Sequence, residues 1–345
     1  MNELHVYDMS SMVYTGATGM QTSFYGVPTG GIQYFLKYLA VALRDRDCVI
    51  PCFDSPSFRI DLMPGYKSGR MKSPEIYHQI EVLYDGLRAC GIQCEKYAGY
   101  EADDLIEWAV SENVDRFIRG VTIYSSDHDI CHSIRNGVML RTLRSGMNDI
   151  LPSNFETAIE RGKRIPYNTI SAYKVFTGCK SDAIPPFTSE NGVKGAQLYQ
   201  VWCDSMQKIG NLSSRRVGAN PESIRIFVKA VGALTEKDSQ ELERRIRLVF
   251  PADKPDDVSI VPTSWSDIDL DKLVYLCSKY NARDALRCLG KYPCTLSEED
   301  KDALRRESRA LLTGEYATDK NLQHETRSVK STLLDLDSFS RGFTG

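Results

Sequence analysis

Acidic residues are concentrated in a few short segments of the chain. The densest is Gly99-Tyr100-Glu101-Ala102-Asp103-Asp104, Ser126-Asp127-His128-Asp129 adds two more acids, and Asp8, Asp54 and Asp182 stand singly. Carboxylates that are brought together repel one another unless a cation neutralises them. Mg²⁺ prefers oxygen ligands, and paired ions can activate a water molecule and stabilise a leaving phosphate oxygen. We therefore predict a metal site whose ligands are Asp8, Asp54, Glu101, Asp103, Asp104, Asp127, Asp129 and Asp182.

Each of these acids, taken alone, has a simpler explanation. A helix N-terminus favours negative side chains, so Glu101, Asp103 and Asp104 would also suit the start of a helix. Capping accounts for one or two acids at one place in the chain. It does not explain acids that follow several separate apolar runs, and the whole set therefore favours the metal site.

The acids lie at the ends of predicted strands. Leu4 to Asp8, Cys48 to Asp54 and Val121 to Asp127 are short apolar runs that each end in aspartate, which is typical of parallel strands buried on both faces. Helix-like segments alternate with them over residues 32–43, 74–90 and 102–110. The alternation predicts an α/β fold with a central, mostly parallel sheet and helices on both faces, whose ligands gather at the carboxyl ends of the strands.

After a further strand at Val138 to Leu143, the second half of the chain is predicted to be mainly α-helical. Capping residues indicate three helix starts, at Ser153 with Glu156, Asn220 with Pro221, and Ser297 with Asp300. From about Thr313 the chain is polar and lacks sustained periodicity. We predict a metal-binding α/β core over residues 1–150, a helical part over 151–312 and a flexible tail over 313–345.

The composition is that of an ordinary globular protein. No apolar run approaches the roughly 20 residues of a membrane helix, and the N-terminus lacks a signal-peptide pattern, so we expect a cytoplasmic protein without membrane contact. The 10 cysteines are scattered without a Cys-x-x-Cys pair, which favours reduced thiols. The net charge of −3 argues against nucleic acid, but setting the eight predicted ligands aside leaves +5 for the remainder, and that charge is compatible with DNA.

Several segments, taken in order, resemble those of the 5′ nucleases, which comprise flap endonucleases, stand-alone phage 5′-3′ exonucleases and the 5′ nuclease domain of bacterial DNA polymerase I. The resemblance covers roughly residues 4–200. The matching segments are Tyr7-Asp8-Met9-Ser10, Phe53 to Arg59, Gly65 to Arg70, Gly99 to Asp104, Ser126 to Asp129, and Thr177 to Asp182.

This resemblance implies a PIN-like core in which the eight acids bind two Mg²⁺ ions, for which Mn²⁺ can substitute, with Asp8 and Asp54 taking part in catalysis. Water would attack the phosphodiester in line. The implied substrate is DNA with a 5′ flap, a nick or a 5′ end, or an RNA:DNA hybrid. Since no polymerase region follows, we expect a stand-alone, monomeric enzyme from a phage or bacterium, located in the host cytoplasm if it is encoded by a phage.

A basic and aromatic segment, Tyr66-Lys67-Ser68-Gly69-Arg70-Met71-Lys72, follows the Asp54 strand. Composition alone would also suit a solvated loop. Beside metal ions, a lysine can neutralise a phosphate, an arginine can make bidentate contacts and a tyrosine can stack on an unpaired base. In the family, this segment leads into a helical arch, here over about residues 59–90. We predict that Lys67 and Arg70 are catalytic and that DNA is contacted by Arg59, Tyr66, Lys67, Arg70 and Lys72.

Two segments depart from the family pattern. In Gly178-Cys179-Lys180-Ser181-Asp182 a cysteine occupies the position of a first aspartate. Because thiolate is a soft ligand poorly suited to Mg²⁺, we predict that Cys179 is packed or hydrogen-bonded rather than coordinating, and that the second metal binds weakly.

The other departure is a modified helix-hairpin-helix over about residues 170–205. Gly192 and Lys194 fit its later half, and we predict that both contact DNA beside a K⁺ ion. Pro186 replaces a glycine and removes a donor, and Glu190 adds repulsion toward phosphate.

Parts of the sequence also suit functions other than a nuclease. His128 and His132 are four residues apart, as in zinc peptidases, but they follow a strand and lack the required glutamate. Asp8 could be a phosphatase nucleophile, although Ser10 stands where a second aspartate is expected. The non-enzymatic alternative is a catalytically weakened replication-fork DNA-binding protein. In the tail, residues 331–345 could fold back as a helix or bind a sliding clamp or a single-strand-binding protein.

Overall fold

The computed structural model describes residues 3–69, 73–143, 149–150, 157–160, 163–166, 169–208, 220–232 and 234–314. Arg70 and Lys72, the predicted cap at Ser153 and Glu156, and the tail segment 331–345 lie outside the described residues. The roles proposed for them therefore stay predictions.

Strands and helices alternate through the first half of the chain. In order, they are β1 (Leu4–Asp8), α1 (Met9–Gly19), β2 (Ser23–Phe24), β3 (Val27–Pro28), α2 (Gly30–Arg44), β4 (Cys48–Cys52), α3 (Arg59–Leu62), α4 (Pro74–Ala89), α5 (Ala102–Asn113), β5 (Val121–Ser125), β6 (Val138–Thr142) and β7 (Asp149–Ile150). The second half contains β8 (Thr157–Glu160), β9 (Lys163–Pro166), α6 (Ile170–Thr177), α7 (Gly195–Lys208), α8 (Pro221–Ala230), α9 (Glu236–Val249), β10 (Thr263–Ser264), α10 (Leu270–Lys279), α11 (Arg283–Cys288) and α12 (Glu298–Thr313).

The central sheet has the strand order β10-β4-β1-β5-β6-β7. Its four inner strands are parallel, and the two short edge strands are antiparallel. Leu4 lies opposite both Cys48 and Val121, so β1, β4 and β5 end at the same edge. The predicted α/β fold with a mostly parallel sheet is confirmed.

Both faces of the sheet are covered by helices, which explains why its strands are apolar throughout. All five residues of β1 are buried. Tyr7 belongs to a core cluster with Phe35 and Leu83, which lie on α2 and α4. Val6 packs on the opposite face in a cluster with Ile106 of α5. The alternation of side chains along a strand sends these neighbours to opposite layers.

A third core cluster joins helices α6 to α9 around Phe176, Trp202, Phe227 and Leu242. Ahead of it, β8 and β9 pair as an antiparallel hairpin. The prediction that the chain turns directly helical after β6 is therefore wrong for residues 157–166. A capping pattern alone does not make a helix when no apolar face of helical period follows it.

The last elements return to the first core. Thr263 of β10 pairs with Val49 of β4, and Leu276, Leu286 and Leu304 of α10 to α12 share the cluster of Tyr7. Residues on both sides of the predicted boundary at residue 150 therefore share one core. Pairing between such distant segments leaves no local pattern in the sequence.

In the described part of the chain, no helix has both the length and the apolar character that crossing a membrane requires.

Two predicted helix starts are confirmed. The Asn220 side chain accepts a hydrogen bond from the backbone N–H of Ser223 at 2.7 Å, and Ser297 caps α12 in a capping box with Asp300. Helix α12 ends at Thr313, and Gly314 follows in the left-handed conformation at φ 75°. The predicted start of the tail coincides with this helix end.

Candidate active site

The acidic segments meet beyond the carboxyl ends of the parallel strands. Asp8 ends β1, Asp127 follows β5, and Glu101 and Asp103 stand at the start of α5. One cavity is lined by Glu101, Asp103, Asp127, Asp129 and Asp182, together with Lys67 and Lys174. In this cavity, the fold brings together acids that lie up to about eighty residues apart in the sequence. The strand topology predicts this arrangement.

Asp8 and Asp54 are held at the edge of this cluster by hydrogen bonds. Asp8 caps α1 by accepting from the backbone N–H of Ser11 at 3.0 Å, and it accepts from the Ser125 hydroxyl at 2.6 Å. Asp54 accepts from the backbone N–H of Ala102 at 2.8 Å and from the Ser10 hydroxyl. These contacts fix both carboxylates relative to β5 and α5.

The carboxylates repel one another. Burial and the charge of Asp54 raise the pKa of Asp8 to about 6. Burial and the charge of Asp127 raise the pKa of Asp103 well above its usual range. Burial and Asp127 likewise raise the pKa of Asp129 to about 6. Such crowding of oxygen ligands fits a divalent cation, which would favour the ionised forms.

Asp104 does not line the cavity, and its contacts do not support its predicted role as a metal ligand. Its carboxylate is fully buried and accepts from both terminal nitrogens of Arg59 at 2.8 Å, from the backbone N–H of Ala252 at 2.7 Å and from that of Glu101 at 3.0 Å. These four hydrogen bonds use both of its oxygens. Asp104 therefore supports the site from behind.

Arg59 is committed to contacts within the protein, and its contact with DNA stays a prediction. Its side chain is 3% exposed. Besides Asp104, it donates to the Glu101 carboxylate at 3.1 Å and to the carbonyl oxygens of Leu248 at 3.2 Å and Phe250 at 2.9 Å. A guanidinium group has five N–H donors, and these contacts use all five. Arg59 instead connects α3 and α5 to the last turn of α9 and the residue that follows it.

Tyr66 is also buried, and its stacking on a base stays a prediction. The ring packs with Met63, Ile184 and Leu248, and its hydroxyl donates to Glu101 at 3.0 Å. Burial raises its pKa above the usual range. Tyr66 and Lys67 both line the cavity, and the more exposed Lys67 pairs its ammonium group with the other oxygen of Glu101.

Lys67 lies on a constrained piece of backbone. Its φ of 53° is in the left-handed region, which costs a non-glycine residue energy and is common at functional sites. Its backbone N–H donates to the carbonyl oxygen of Asp182 at 3.0 Å, and its side chain is 21% exposed. The lysine is thus partly open to the cavity and is tied to the loop that carries Asp182. This placement is consistent with a contact to substrate.

The predicted second metal subsite lies around Asp129, Cys179 and Asp182, whose ligand atoms lie within 4.8 Å of one another. The Cys179 side chain is buried, and its thiol donates to the Asp182 carboxylate at 3.2 Å. Burial raises the pKa of this thiol, which keeps it protonated. The prediction that Cys179 is packed and hydrogen-bonded is confirmed.

Lys174 is the functional residue that sequence reasoning missed. Its ammonium group pairs with Asp129 inside the cavity, and the side chain is only 6% exposed. Lys174 lies on α6, whose eight residues are all buried. A single lysine in the apolar segment Ile170–Thr177 was a signal, because a charge is rarely buried unless it is paired.

Gly192 and Lys194 lie in the connection between α6 and α7, outside the cavity. Gly192 has a φ of 81°, and its N–H donates to the carbonyl oxygen of Ser189 at 2.9 Å. Lys194 is exposed immediately before α7. Glu190 pairs with Lys237 at 2.9 Å, which offsets its charge. Helices α6 and α7 flank this connection, and both the modified helix-hairpin-helix and its contact with DNA stay predictions.

The structure agrees with the argument against a zinc peptidase and changes the expectation for the arch. His128 and His132 lie in a 3₁₀ turn rather than on an α-helix, and burial lowers the pKa of His132, so a zinc-peptidase arrangement is absent from this described segment. Helix α4, placed in the predicted arch over residues 59–90, packs on the core instead. Its Gln79 accepts from the backbone N–H of Gly31 at 2.8 Å, and Leu83 and Leu87 are buried.

Comparison with known proteins gives consistent results. A family model described as the 5′-3′ exonuclease N-terminal resolvase-like domain matches residues 3–160. The chain is 30% identical over 207 residues to a 5′-3′ exonuclease of Bacillus subtilis, covering 56% of this chain and 66% of that protein. It is 26% identical over 264 residues to a 5′-3′ exonuclease of Aquifex aeolicus, covering 73% of this chain and 88% of that protein.

Other relatives are longer or more distant. The chain spans 25% of the length of a Mycobacterium leprae DNA polymerase I, with 28% identity over 236 residues that make up 66% of this chain. A solved structure of T5 5′-exonuclease with bound zinc ions has 15% identity and a TM-score of 0.47, covering 90% of this chain and 99% of that one. The assignment rests on the sequence matches and on the ordered acidic segments. On these grounds, the chain belongs to the 5′ nuclease family.

Proposed function

We propose that this protein is a divalent-metal-dependent 5′-3′ exonuclease and structure-specific flap endonuclease, which hydrolyses phosphodiester bonds near the 5′ ends of DNA. The observation that carries the proposal is the row of carboxylates from Asp54 through Asp8, Asp103 and Asp127, beside the cavity lysine Lys67. Burial and neighbouring carboxylates raise the pKa values of Asp8 and Asp103, which indicates a site built for a cation. Sequence relatives named 5′-3′ exonuclease support the same activity.

The residues of the site would have different roles in the reaction. Asp8, Asp103 and Asp127 would hold the ion, and Asp54 would complete its surroundings from the edge of the cluster. A bound divalent ion lowers the pKa of a coordinated water and stabilises the leaving oxygen. Glu101 orients Lys67, whose ammonium group would neutralise the scissile phosphate. The Arg59–Asp104 pair keeps the start of α5 in place.

We further propose Mg²⁺ as the physiological ion, with Mn²⁺ able to replace it, and K⁺ at the turn before α7. The helical part around α6 to α9 would bind duplex DNA, and Arg70 and Lys72 would contact the 5′ end. The tail residues 331–345 would bind a sliding clamp or a single-strand-binding protein. The protein would act as a monomer in the cytoplasm.

The test is cleavage of three substrates, a 5′-flap, a nicked duplex and an RNA:DNA hybrid, with Mg²⁺ and with a chelator. We expect Mg²⁺-dependent release of short products from the 5′ end of at least one of them. An Asp103→Asn variant serves as the matched control and should not cut. Binding of these substrates without cleavage of any would favour the alternative, a weakened DNA-binding protein of the same fold, for which Cys179 beside Asp182 is the motivating observation.

Duplex anchoring by the turn before α7 has its own test. Lys194 is exposed there, and a lysine that contacts a phosphate contributes about one unit to the slope of log affinity against log salt concentration. Lys194→Ala should therefore lower the slope by about one, measured by fluorescence anisotropy with a nicked duplex. Lys208→Ala, at the far end of α7, should leave it unchanged. Equal slopes for Lys194→Ala and the wild type would exclude the phosphate contact.

A further inference from the structure

Lys174 is an unusual residue for its position. Every residue of α6 is buried, and Lys174 supplies the helix with its single charge. Taking an ammonium group out of water costs several kcal/mol unless a partner compensates. The fold accepts this cost and directs the ammonium group onto the Asp129 carboxylate, on the wall of the active-site cavity. Because burying this ammonium group is costly, we expect it to have a function in the cavity.

The groups around Lys174 define that role. Asp129 and Asp182, together with Cys179, form the compact set in which the family pattern would place a second metal ion. The buried Cys179 side chain donates a hydrogen bond from its thiol to Asp182. This pocket therefore holds two carboxylates and one ammonium group, and its remaining negative charge is smaller than that of a pocket with an aspartate at position 179.

We propose that the ammonium group of Lys174 is the resident cation of the second subsite, where it takes the place of a second divalent ion. The inference rests on the proposed nuclease function and deepens it, because it makes the site one that binds a single metal ion near Asp8, Asp103 and Asp127. Lys174 acts as a positioning residue through its contact with Asp129. A second ion could bind only by displacing it.

The test counts bound ions on the whole chain without DNA, by Mn²⁺ titration with electron paramagnetic resonance and calorimetry. The wild type should bind one Mn²⁺. Lys174→Met, which keeps the length of the side chain but frees Asp129, should bind two. Lys174→Arg should bind one, since the positive charge is retained. Lys180→Met removes an exposed lysine from the neighbouring loop and should also bind one, which controls for the change in net charge.

Two Mn²⁺ ions on the wild type, or a single ion on a folded Lys174→Met variant, would overturn the inference. Because that substitution leaves a carboxylate without its cation, stability is measured in parallel as a melting temperature with and without Mn²⁺. Mn²⁺ should raise the melting temperature of Lys174→Met more than that of the wild type. A variant that folds only with Mn²⁺ supports the inference, and one that stays unfolded at saturating Mn²⁺ contradicts it.

The outcomes also separate this inference from the proposed function. A wild type that binds no Mn²⁺ and cuts no substrate would refute both. A wild type that cuts with one bound ion, together with a Lys174→Met variant that also binds one, would refute the role of Lys174 alone.

Discussion

Asp103 and Asp104 are neighbours at the start of α5, but their carboxylates lie in opposite environments. Asp103 is half-buried and faces the cavity, where burial and the charge of Asp127 raise its pKa well above the usual range. Asp104 is fully buried on the other side, where the hydrogen bonds and charge of Arg59 outweigh the effect of burial and hold its pKa below the usual range. One side of the helix start therefore concentrates negative charge, and the other neutralises it.

The comparison separates the groups that bind from the groups that support. Asp104 and Arg59 connect α5 to α3 and to the carbonyl oxygens of Leu248 and Phe250, so this network fixes the direction in which Glu101 and Asp103 face. The repulsion in the cavity is tolerated because the network behind it is fully paired. Substitutions on the two sides should consequently have different effects, one on stability and the other on activity.

The largest expected effect on stability is that of Asp104→Asn. The change keeps the shape of the side chain but removes the main partner of the buried Arg59 charge, and breaking a buried ion pair typically costs about 3–5 kcal/mol. We expect a loss of that size in the free energy of unfolding, measured by urea denaturation. Asp103→Asn is the control of equal size one residue away. A loss below about 1 kcal/mol for Asp104→Asn would show that the network is not the support described here.

Asp103→Asn should have the reverse profile. Removing a carboxylate that is crowded by others relieves repulsion, so the metal-free variant should be at least as stable as the wild type. The single-turnover cleavage rate with Mg²⁺ should fall by at least about 100-fold, because even indirect partners of a metal ligand cost about 10–100-fold. Retention of near wild-type cleavage would exclude Asp103 as a ligand.

The sequence was sufficient for the main elements of the first half. Apolar runs ending in aspartate located β1, β4 and β5, and these ends were correctly expected to meet at one edge. The direction of each side chain was not accessible in this way. Asp103 and Asp104 share the same local pattern, and what distinguishes them is Arg59, which lies more than forty residues away in the chain and is positioned only by the tertiary fold.

For the basic residues, too, the sequence does not reveal the direction of each side chain. Arg59, Tyr66 and Lys67 were predicted as one DNA-binding group because they are close in sequence. In the structure, all three line the cavity, but Arg59 and Tyr66 are buried and donate to Glu101, whereas the Lys67 side chain is 21% exposed. Lys174 lies outside the basic clusters that indicate nucleic-acid binding in a sequence. An isolated lysine in an apolar helix was the more informative pattern, since burial requires a partner for its charge.

The crowded acids at the cavity also predict how the stability of the metal-free protein depends on pH. The pKa of Asp8 is raised to about 6, as is that of Asp129, so the folded protein retains protons that the unfolded chain releases near pH 4. This contribution to stability is fully present below the unfolded pKa and is lost as the pH rises through about 6. The metal-free protein should therefore be more stable at pH 5 than at pH 7.5, on the order of 1–2 kcal/mol.

The measurement is urea denaturation at both pH values, with a chelator and with Mg²⁺. The Asp104 carboxyl, whose pKa is lowered, stays ionised at both values and does not contribute to the difference. Mg²⁺ should stabilise the protein more at pH 7.5 than at pH 5, because the ion binds the deprotonated carboxylates. Asp8→Asn should reduce the difference in the metal-free protein. Equal metal-free stability at the two pH values would mean that the acids of the cavity are not crowded, and the contrast between Asp103 and Asp104 would lose its electrostatic basis.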